Sequence, residues 1–537
     1  VPWSMRGSTR RRADGDALAG RLILFQPGPM AALAVGLPVL VALMGLAMAG
    51  GGLDPAALKQ AHVQRVIVFS TVQAFLSTVI ALVVGAALAL ALARRAAFPG
   101  RATLIALLST ATVLPGIVVV FSIVALYGRS GFVTGTARAL GFEWGSWLYG
   151  LPGILIAHAF QNIPFAARLY LHALERTPPE HHRLAAGLGM TPFAIFRHLD
   201  WPRLKAETAG LAALIFLLCF ISFAVVLALG GGPNRATLEV AIYDALRGEA
   251  DFARAATLAL LQVAIGLGLT LILAWRTAPI AEEAGSRYAL LRADRSALPL
   301  RLWDIAVLII TALFIAPPIL SLLSGAFFIT TLVTPDMIRA LMTSLALATG
   351  TAFVATLIAY AMARGAIAGR RVLYGGLAYA TLAMPPFAMV AGLYFALRPL
   401  ANVMALGIPL IIFINALMAL PFAYRLIETP LAIAHQRHGR LAQSLGMTGR
   451  DRLRFVEWPL LRRPLFTAAA LAAALSLGDF GVIAFFGGSD FVTLPLMLYQ
   501  QLGAYRMDEA SATALLLALL VFVFALGALK ETGHAHS

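Results

Sequence analysis

Long apolar runs without a charge, such as residues 30–50 and 211–229, recur along the chain and alternate with shorter polar, Arg-containing stretches. At 1.5 Å of rise per residue, a run of about twenty residues crosses roughly 30 Å of hydrocarbon as a helix. The pattern predicts twelve spans, near 30–50, 63–93, 102–126, 151–173, 207–229, 253–274, 303–324, 341–363, 372–396, 406–426, 464–486 and 510–530. A backbone in lipid must satisfy its own hydrogen bonds, so the expected fold class is an all-α polytopic membrane protein. The second run is long enough to tilt or to begin outside the bilayer. The basic segment before Met30 imitates a signal peptide, but no clean small-residue cleavage site follows, and the first run reads as an uncleaved span.

Composition agrees. Of 537 residues, 60% are hydrophobic and 12% charged, with a mean hydropathy of +0.85. A soluble chain carries about 25% charged residues. The net charge of +16 would suggest nucleic acid in a soluble protein, so its location decides its meaning. With the N-terminus in the cytoplasm, the cytoplasmic segments collect most of the 41 Lys and Arg. That is the positive-inside bias, which places both termini in the cytoplasm and leaves no nucleic-acid footprint. The single cysteine, Cys219, lies in an apolar run and has no disulfide partner in the chain.

An internal repeat organises the spans. At a shift of 257 residues, Pro164-Phe165-Ala166 meets Pro421-Phe422-Ala423, Leu188-Gly189-Met190-Thr191 meets Leu445-Gly446-Met447-Thr448, and Trp201-Pro202 meets Trp458-Pro459. Phe223-Ala224-Val225 meets Phe480-Gly481-Val482, and at 256 Tyr243 meets Tyr499. Earlier, a shift of 270 pairs Arg94 with Arg364 and Pro115 with Pro385, so the first half carries about thirteen extra residues near 127–150. The prediction is two parallel six-helix repeats, 1–285 and 286–537, related by a pseudo-two-fold along the membrane normal.

The loops after the fourth span of each half, 174–206 and 431–463, lie on the cytoplasmic side by charge. Each combines a short helical pattern, a glycine that permits a sharp break, a second short amphipathic stretch, and a Trp-Pro pair expected to stop it. Any interfacial helix looks like this once. Two copies in register predict a paired docking surface for a two-fold partner.

These loops resemble the signature of ABC-importer permeases, E-A-A-x3-G-x9-I-x-L-P. With the signature glycine on Gly189, its acidic position falls on Arg183, its alanines on Leu184 and Ala185, and its end on Leu199-Asp200-Trp201-Pro202. With Gly446, the matches are Arg440, Leu441, Ala442 and Val456-Glu457-Trp458-Pro459, so arginine replaces the acid twice. Nearly the whole chain resembles the fused, twelve-span permeases of bacterial thiamine importers, above all at 218–233 (LCFISFAVVLALGGGP) and 476–506 (SLGDFGVIAFFGGSDFVTLPLMLYQQLGAYR). The resemblance implies that Ala185, Gly189, Trp201, Pro202, Ala442, Gly446, Trp458 and Pro459 couple the chain to two copies of a cytoplasmic ABC ATPase. It also implies a periplasmic thiamine-binding protein as partner, in the bacterial inner membrane.

The energy source follows by elimination. A Walker motif needs Gly before Lys, and Lys59, Lys205 and Lys530 each follow Leu. The chain is expected to be no enzyme and to hold no cofactor, with ATP bound by the partner. Ion-coupled carriers place ionisable groups within spans, and here Asp479 alone lies well inside one, opposite Ser222 of the first half. Asp479 either attracts a cationic substrate or satisfies backbone groups at a helix break. Phe223 and Phe480, matched in the repeat, are candidates for an apolar gate or for packing. His181-His182 and the i,i+3 pair His435 and His438 read as solvated polar faces, and no metal site is expected. Arg247, Glu249, Arg506 and Asp508 face the outside, where a soluble binding protein docks in such importers. The alternatives are a ferric-iron permease of the same family and a secondary carrier with six plus six spans.

Overall fold

The computed structural model describes residues 27–49, 55–142, 147–232, 235–276, 292, 294, 297–328, 334–381, 384–447, 449–487 and 491–533. Among them every regular element is helical. In order they are α1 (Pro27–Met48), α2 (Ala61–Arg94), α3 (Arg101–Val113), α4 (Gly116–Tyr127), α5 (Phe132–Ala139), α6 (Leu151–Glu175), α7 (Pro179–Gly187), α8 (Trp201–Phe220), α9 (Ala224–Leu229), α10 (Leu238–Tyr243) and α11 (Phe252–Arg276). Then follow α12 (Leu298–Ser321), α13 (Pro335–Gly365), α14 (Arg371–Ala380), α15 (Pro386–Leu397), α16 (Gly407–Ser444), α17 (Trp458–Gly478), α18 (Gly481–Phe486), α19 (Leu494–Gly503) and α20 (Met507–Gly533). α5 lies within residues 127–150, where the repeat offsets predict an insertion.

Among the described residues, nine helices are long and apolar enough to cross a membrane, which makes the chain a polytopic helical membrane protein. The predicted runs fall on helix, but four are split. Residues 102–126 divide between α3 and α4 at Leu114-Pro115, and 372–396 between α14 and α15 before Pro386. Residues 207–229 and 464–486 divide at Phe223 and at Asp479-Phe480. The first two breaks have a local cause. Leu114 and Pro115 are extended, as a residue before proline prefers, and α4 starts just after the ring that lacks a donor.

The packing exchanges first helices. α1 lies on α15 and α13, while α12 lies on α2 and α4. The α1–α15 crossing is made close by glycine: a Cβ on Gly392 would run into the Ala42 carbonyl, and one on Gly45 into the Gly392 carbonyl. Elsewhere α2 pairs with α6 and α8 as α13 pairs with α16 and α17. A serine on each long helix accepts the first backbone N–H of a short one: Leu238 to Ser70 Oγ and Leu494 to Ser344 Oγ, both 2.9 Å. Such caps contribute about 1 kcal/mol.

Candidate functional site

The two cytoplasmic turns share one backbone solution. Gly189 and Gly446 have φ of +61° and +63°, and the amides of Met190 and Met447 reach back to the carbonyls of Ala185 and Ala442 at 3.0 Å. That is a Schellman closure, whose left-handed residue favours glycine and whose return bond satisfies a carbonyl at the helix end. Ala185 and Ala442 are buried under it, whereas Leu184, Leu188, Leu441 and Leu445 are exposed. An added Cβ at either glycine would meet nothing, so the left-handed turn presents open surface. In the second copy, His438, Leu441, Leu445, Phe455 and Pro459 help line a groove of about 270 Å³.

The Trp-Pro pairs do not stop a helix, as the sequence suggested; they sit within continuous helical backbone. A π-helical turn, Phe196–Asp200 or Leu453–Glu457, runs straight into α8 or α17, with Pro202 and Pro459 in the first turn. The π turn bonds i→i−5, as from the Trp201 amide to the Phe196 carbonyl, and so widens the helix just before the proline, where a missing N–H is accommodated. Trp201 and Trp458, in the first turns of α8 and α17, are half-exposed. The copies differ upstream. Pro178-Pro179 keeps Pro178 extended and separates α6 from α7, while α16 continues unbroken over the matching residues, which read Ala434-His435-Gln436.

Beneath each turn lies a buried acid. Arg292, from the stretch joining the halves, grips Asp200 with two bonds of 3.0 and 2.6 Å and Asp294 with two of 3.0 Å. Next to it Arg94 binds Asp304 of α12 at 2.7 Å, joined by Arg95 at 3.0 Å. Glu457, the match of Asp200, is held by Tyr360 at 2.6 Å, Arg452 at 3.2 Å and Arg364 at 3.8 Å. His182 corrects its sequence reading. It is buried, not solvated, and burial together with the Arg292 charge holds it below the ordinary histidine value, against the pull of Asp200 and Asp294. His435 contacts Arg452, and His438 is exposed.

The four helix breaks converge. A Cβ on Gly478 would touch Pro115 at 3.4 Å, and one on Gly481 would lie 3.2 Å from Phe387, 3.7 Å from Phe223 and 3.8 Å from Asp479 Oδ1. Phe223 and Phe480 stack at 5.5 Å between ring centres. Phe387, which follows the α14–α15 break, lies 4.5 Å from Phe223. Tyr243 is 5.3 Å from Phe223, and Tyr499 is 5.0 Å from Phe480. Five rings thus close the centre as a plug. A cavity of about 210 Å³ lined by Arg129, Tyr149, Leu227, Tyr499 and Tyr505 ends at it. The Asp479 carboxylate lies against the backbone of Gly481, Val482 and Ile483 and the Asn415 side chain, the helix-break role weighed above, yet its Oδ2 has no partner.

The family model described as "binding-protein-dependent transport system inner membrane component" matches residues 356–531. The thiamine transport system permease protein ThiP of Escherichia coli is 40% identical over 478 residues, 87% of this chain and 88% of that protein. Its namesake in Brucella melitensis is 38% identical over 495 residues, covering 89% and 90%. The chain belongs to this permease family. A Haemophilus influenzae protein named as a ferric transport system permease is 28% identical over 219 residues, 40% of this chain.

Family membership makes the chain an inner-membrane transport component and gives the paired turns their context. The two arginines at the acidic signature position, Arg183 and Arg440, are exposed beside them. Sequence reasoning did not pick out two features. Glu239 was counted with the outside loops, but it is fully buried on α10, one turn from Tyr243. Its i,i+4 spacing from that tyrosine was the available signal. Arg292 carried little signal, because of its two partners only Asp294 is near in sequence and Asp200 lies 92 residues away.

Proposed function

We propose that the chain is the membrane permease of an ATP-driven, binding-protein-dependent importer of thiamine. The observation that carries this is the 40% identity over 87% of the chain with a protein named for thiamine transport, while the ferric relative matches 40% of it. The proposed architecture is twelve spans, four of them broken, as two parallel six-helix repeats, 1–285 and 286–537, with both termini in the cytoplasm. The exchanged packing of α1 and α12 supports a pseudo-two-fold relation, because each half treats the other's first helix alike.

Two copies of a cytoplasmic ATPase dock at the Gly189 and Gly446 turns, where exposed leucines and Trp201 or Trp458 meet the partner. ATP is held there, and the permease itself brings no cofactor. Because each turn leads without interruption into α8 or α17, closure of the ATPases pulls directly on the helices that end at Phe223 and Asp479. Drawing these ends apart parts the ring plug and opens the centre to a binding protein outside. Hydrolysis lets it close again. Broken helices meeting at the middle of a membrane are how transporters build a pathway.

The test is thiamine uptake into proteoliposomes bearing the chain, with ATPase and binding protein added singly and together. Uptake that needs both partners and internal ATP is the expected result. Uptake by the chain alone on an ion gradient would make it a secondary carrier, and iron uptake in place of thiamine would move the substrate.

A further inference from the structure

Glu239 on α10 and Gln262 on α11 are fully buried. Both carboxylate oxygens of Glu239 and both polar atoms of Gln262 lack a hydrogen-bond partner. The Gln262 amide faces the carboxylate without good bond geometry, and the next charge that Glu239 feels is Asp479. Burying unpaired polar groups costs several kcal/mol each, and ionisable groups at membrane depth are placed for function by default. Neither acid has a counterpart across the repeat: Glu239 matches Pro495, Gln262 matches Ala518, and Asp479 matches Ser222. The acids come from opposite halves, and both border the ring plug. Tyr243, one turn from Glu239, packs on Phe223 and Phe387, and those two rings approach Gly481 alongside Asp479.

We propose that Glu239 and Asp479, with Gln262, form an asymmetric receiving site that takes the positive charge of an organic cation as it passes the plug. The aromatic walls decide the class of ligand. A compact metal ion needs about six oxygen donors, whereas rings flanking two carboxylates suit a diffuse heteroaromatic cation, attracted by both charge and π-faces. The rings touch one another here, so the site is completed when they part. Recognition is one-sided: the first half offers Glu239 and the second Asp479, which orients a ligand whose charge lies at one end. The choice of thiazolium as that cation rests on the thiamine reading; the site itself does not.

Two measurements test it on the full transporter. In the intact wild-type complex, dicyclohexylcarbodiimide labelling of Glu239 and Asp479 is followed by mass spectrometry, with thiamine, other thiazolium cations, or an uncharged thiophene isostere present. Cations are expected to slow labelling at least five-fold, and the isostere to leave it unchanged. Glu239→Gln and Asp479→Asn are each expected to lower thiamine uptake at least ten-fold while binding-protein-stimulated ATP hydrolysis persists. Equal protection by the isostere, or full uptake by both variants, would overturn the site. A complex that imports no thiamine but whose acids are shielded by other organic cations would sink the substrate and keep the site. Uptake intact in both variants without protection would do the reverse.

Discussion

Asp200 and Glu457 occupy matched places, one residue before the Trp-Pro pairs that open α8 and α17, and both are buried. Their partners differ in origin. Glu457 is held by Tyr360 and Arg364 from α13 and by Arg452 from its own turn. Asp200 is held by Arg292, which belongs to the segment between the proposed halves. Arg94, the match of Arg364, is spent on Asp304 at the head of α12. The same backbone at the surface therefore rests on a clasp from outside in one copy and on local support in the other. The clasp of the first turn lies near a second buried pair: the Arg94 charge acts on Asp294, and Arg94 is itself bonded to Asp304 of α12.

Removing Arg292 breaks this comparison most severely. Arg292→Ala leaves two buried carboxylates unpaired, and stripping one partner from a buried ion pair costs about 3–5 kcal/mol. Arg364→Ala removes only a 3.8 Å contact from a glutamate that keeps Tyr360 and Arg452, and is expected to cost about 1 kcal/mol or less. Thermal unfolding of the detergent-purified chain compares them directly, and equal losses would refute the clasp. At the plug the asymmetry recurs. Phe223 touches Phe480, Phe387 and Tyr243, while Phe480 touches Phe223 and Tyr499. Phe223→Ala is expected to cost about 3–4 kcal/mol and Phe480→Ala about 1 kcal/mol less, at the low end for a buried Phe. Both are read by the same melts and by leak of substrate through vesicles without ATP.

Much of this was legible in the chain. The apolar runs that fall on helix lie in local patterns, and the offsets that align Trp201 with Trp458 also align the two π-turns. The Trp-Pro pairs were misread because a proline's local effect depends on what precedes it: just past a π-turn it is carried within a continuing helix, and after an extended residue it separates two. His182 was misread because its surroundings are tertiary. Nothing near it in sequence announces Arg292, more than a hundred residues on. The split of residues 464–486 at Asp479 was half-visible, since a Gly-Asp-Phe-Gly run in an apolar span predicts a break. What no span-by-span reading offers is the convergence of four breaks on one ring cluster.

The glycine turns sharpen the comparison at smaller cost. With φ near +60° and open space beyond each Cβ, Gly189→Ala and Gly446→Ala each cost about 1–2 kcal/mol of backbone strain. Asparagine, which tolerates the left-handed region, costs less. Gly189→Arg adds bulk where the ATPase is proposed to dock. It is expected to weaken assembly at least ten-fold, measured by co-purification of ATPase, while Gly189→Asn retains most of it. Because Asp200 of the first turn is clasped by Arg292 from the segment between the proposed halves and Glu457 of the second is not, Gly189→Arg should impair stimulated hydrolysis more than Gly446→Arg. Equal effects would mean that the clasp stiffens the loop without steering the coupling.

The smallest expected effect is a pH dependence confined to the first turn's clasp. Burial and the Arg292 charge keep His182 neutral below its ordinary value near 6.5. In the unfolded chain it takes a proton as pH falls through that value, while in the folded chain it resists. Stability from this group is therefore fully present above about pH 6.5 and declines as pH falls towards the lowered folded value. Protonation places a cation against Arg292, so the charge that Asp200 and Asp294 must balance rises from one to two. His435, in the second copy's loop though not the repeat match of His182, is also lowered, by its own burial and by Arg452, but it is less enclosed. His182→Gln should flatten the fall in melting temperature between pH 7 and pH 5.5, and His435→Gln should change it less. A fall between pH 7 and pH 5.5 that persists in His182→Gln would clear His182 of the acid sensitivity. Asp294 is a separate source at lower pH, since it is held below the ordinary value: burial pushes it up, but the Arg292 bond and charge outweigh burial. Its loss would begin only as pH approaches the range where aspartate itself titrates, which separates the two sources on one pH axis.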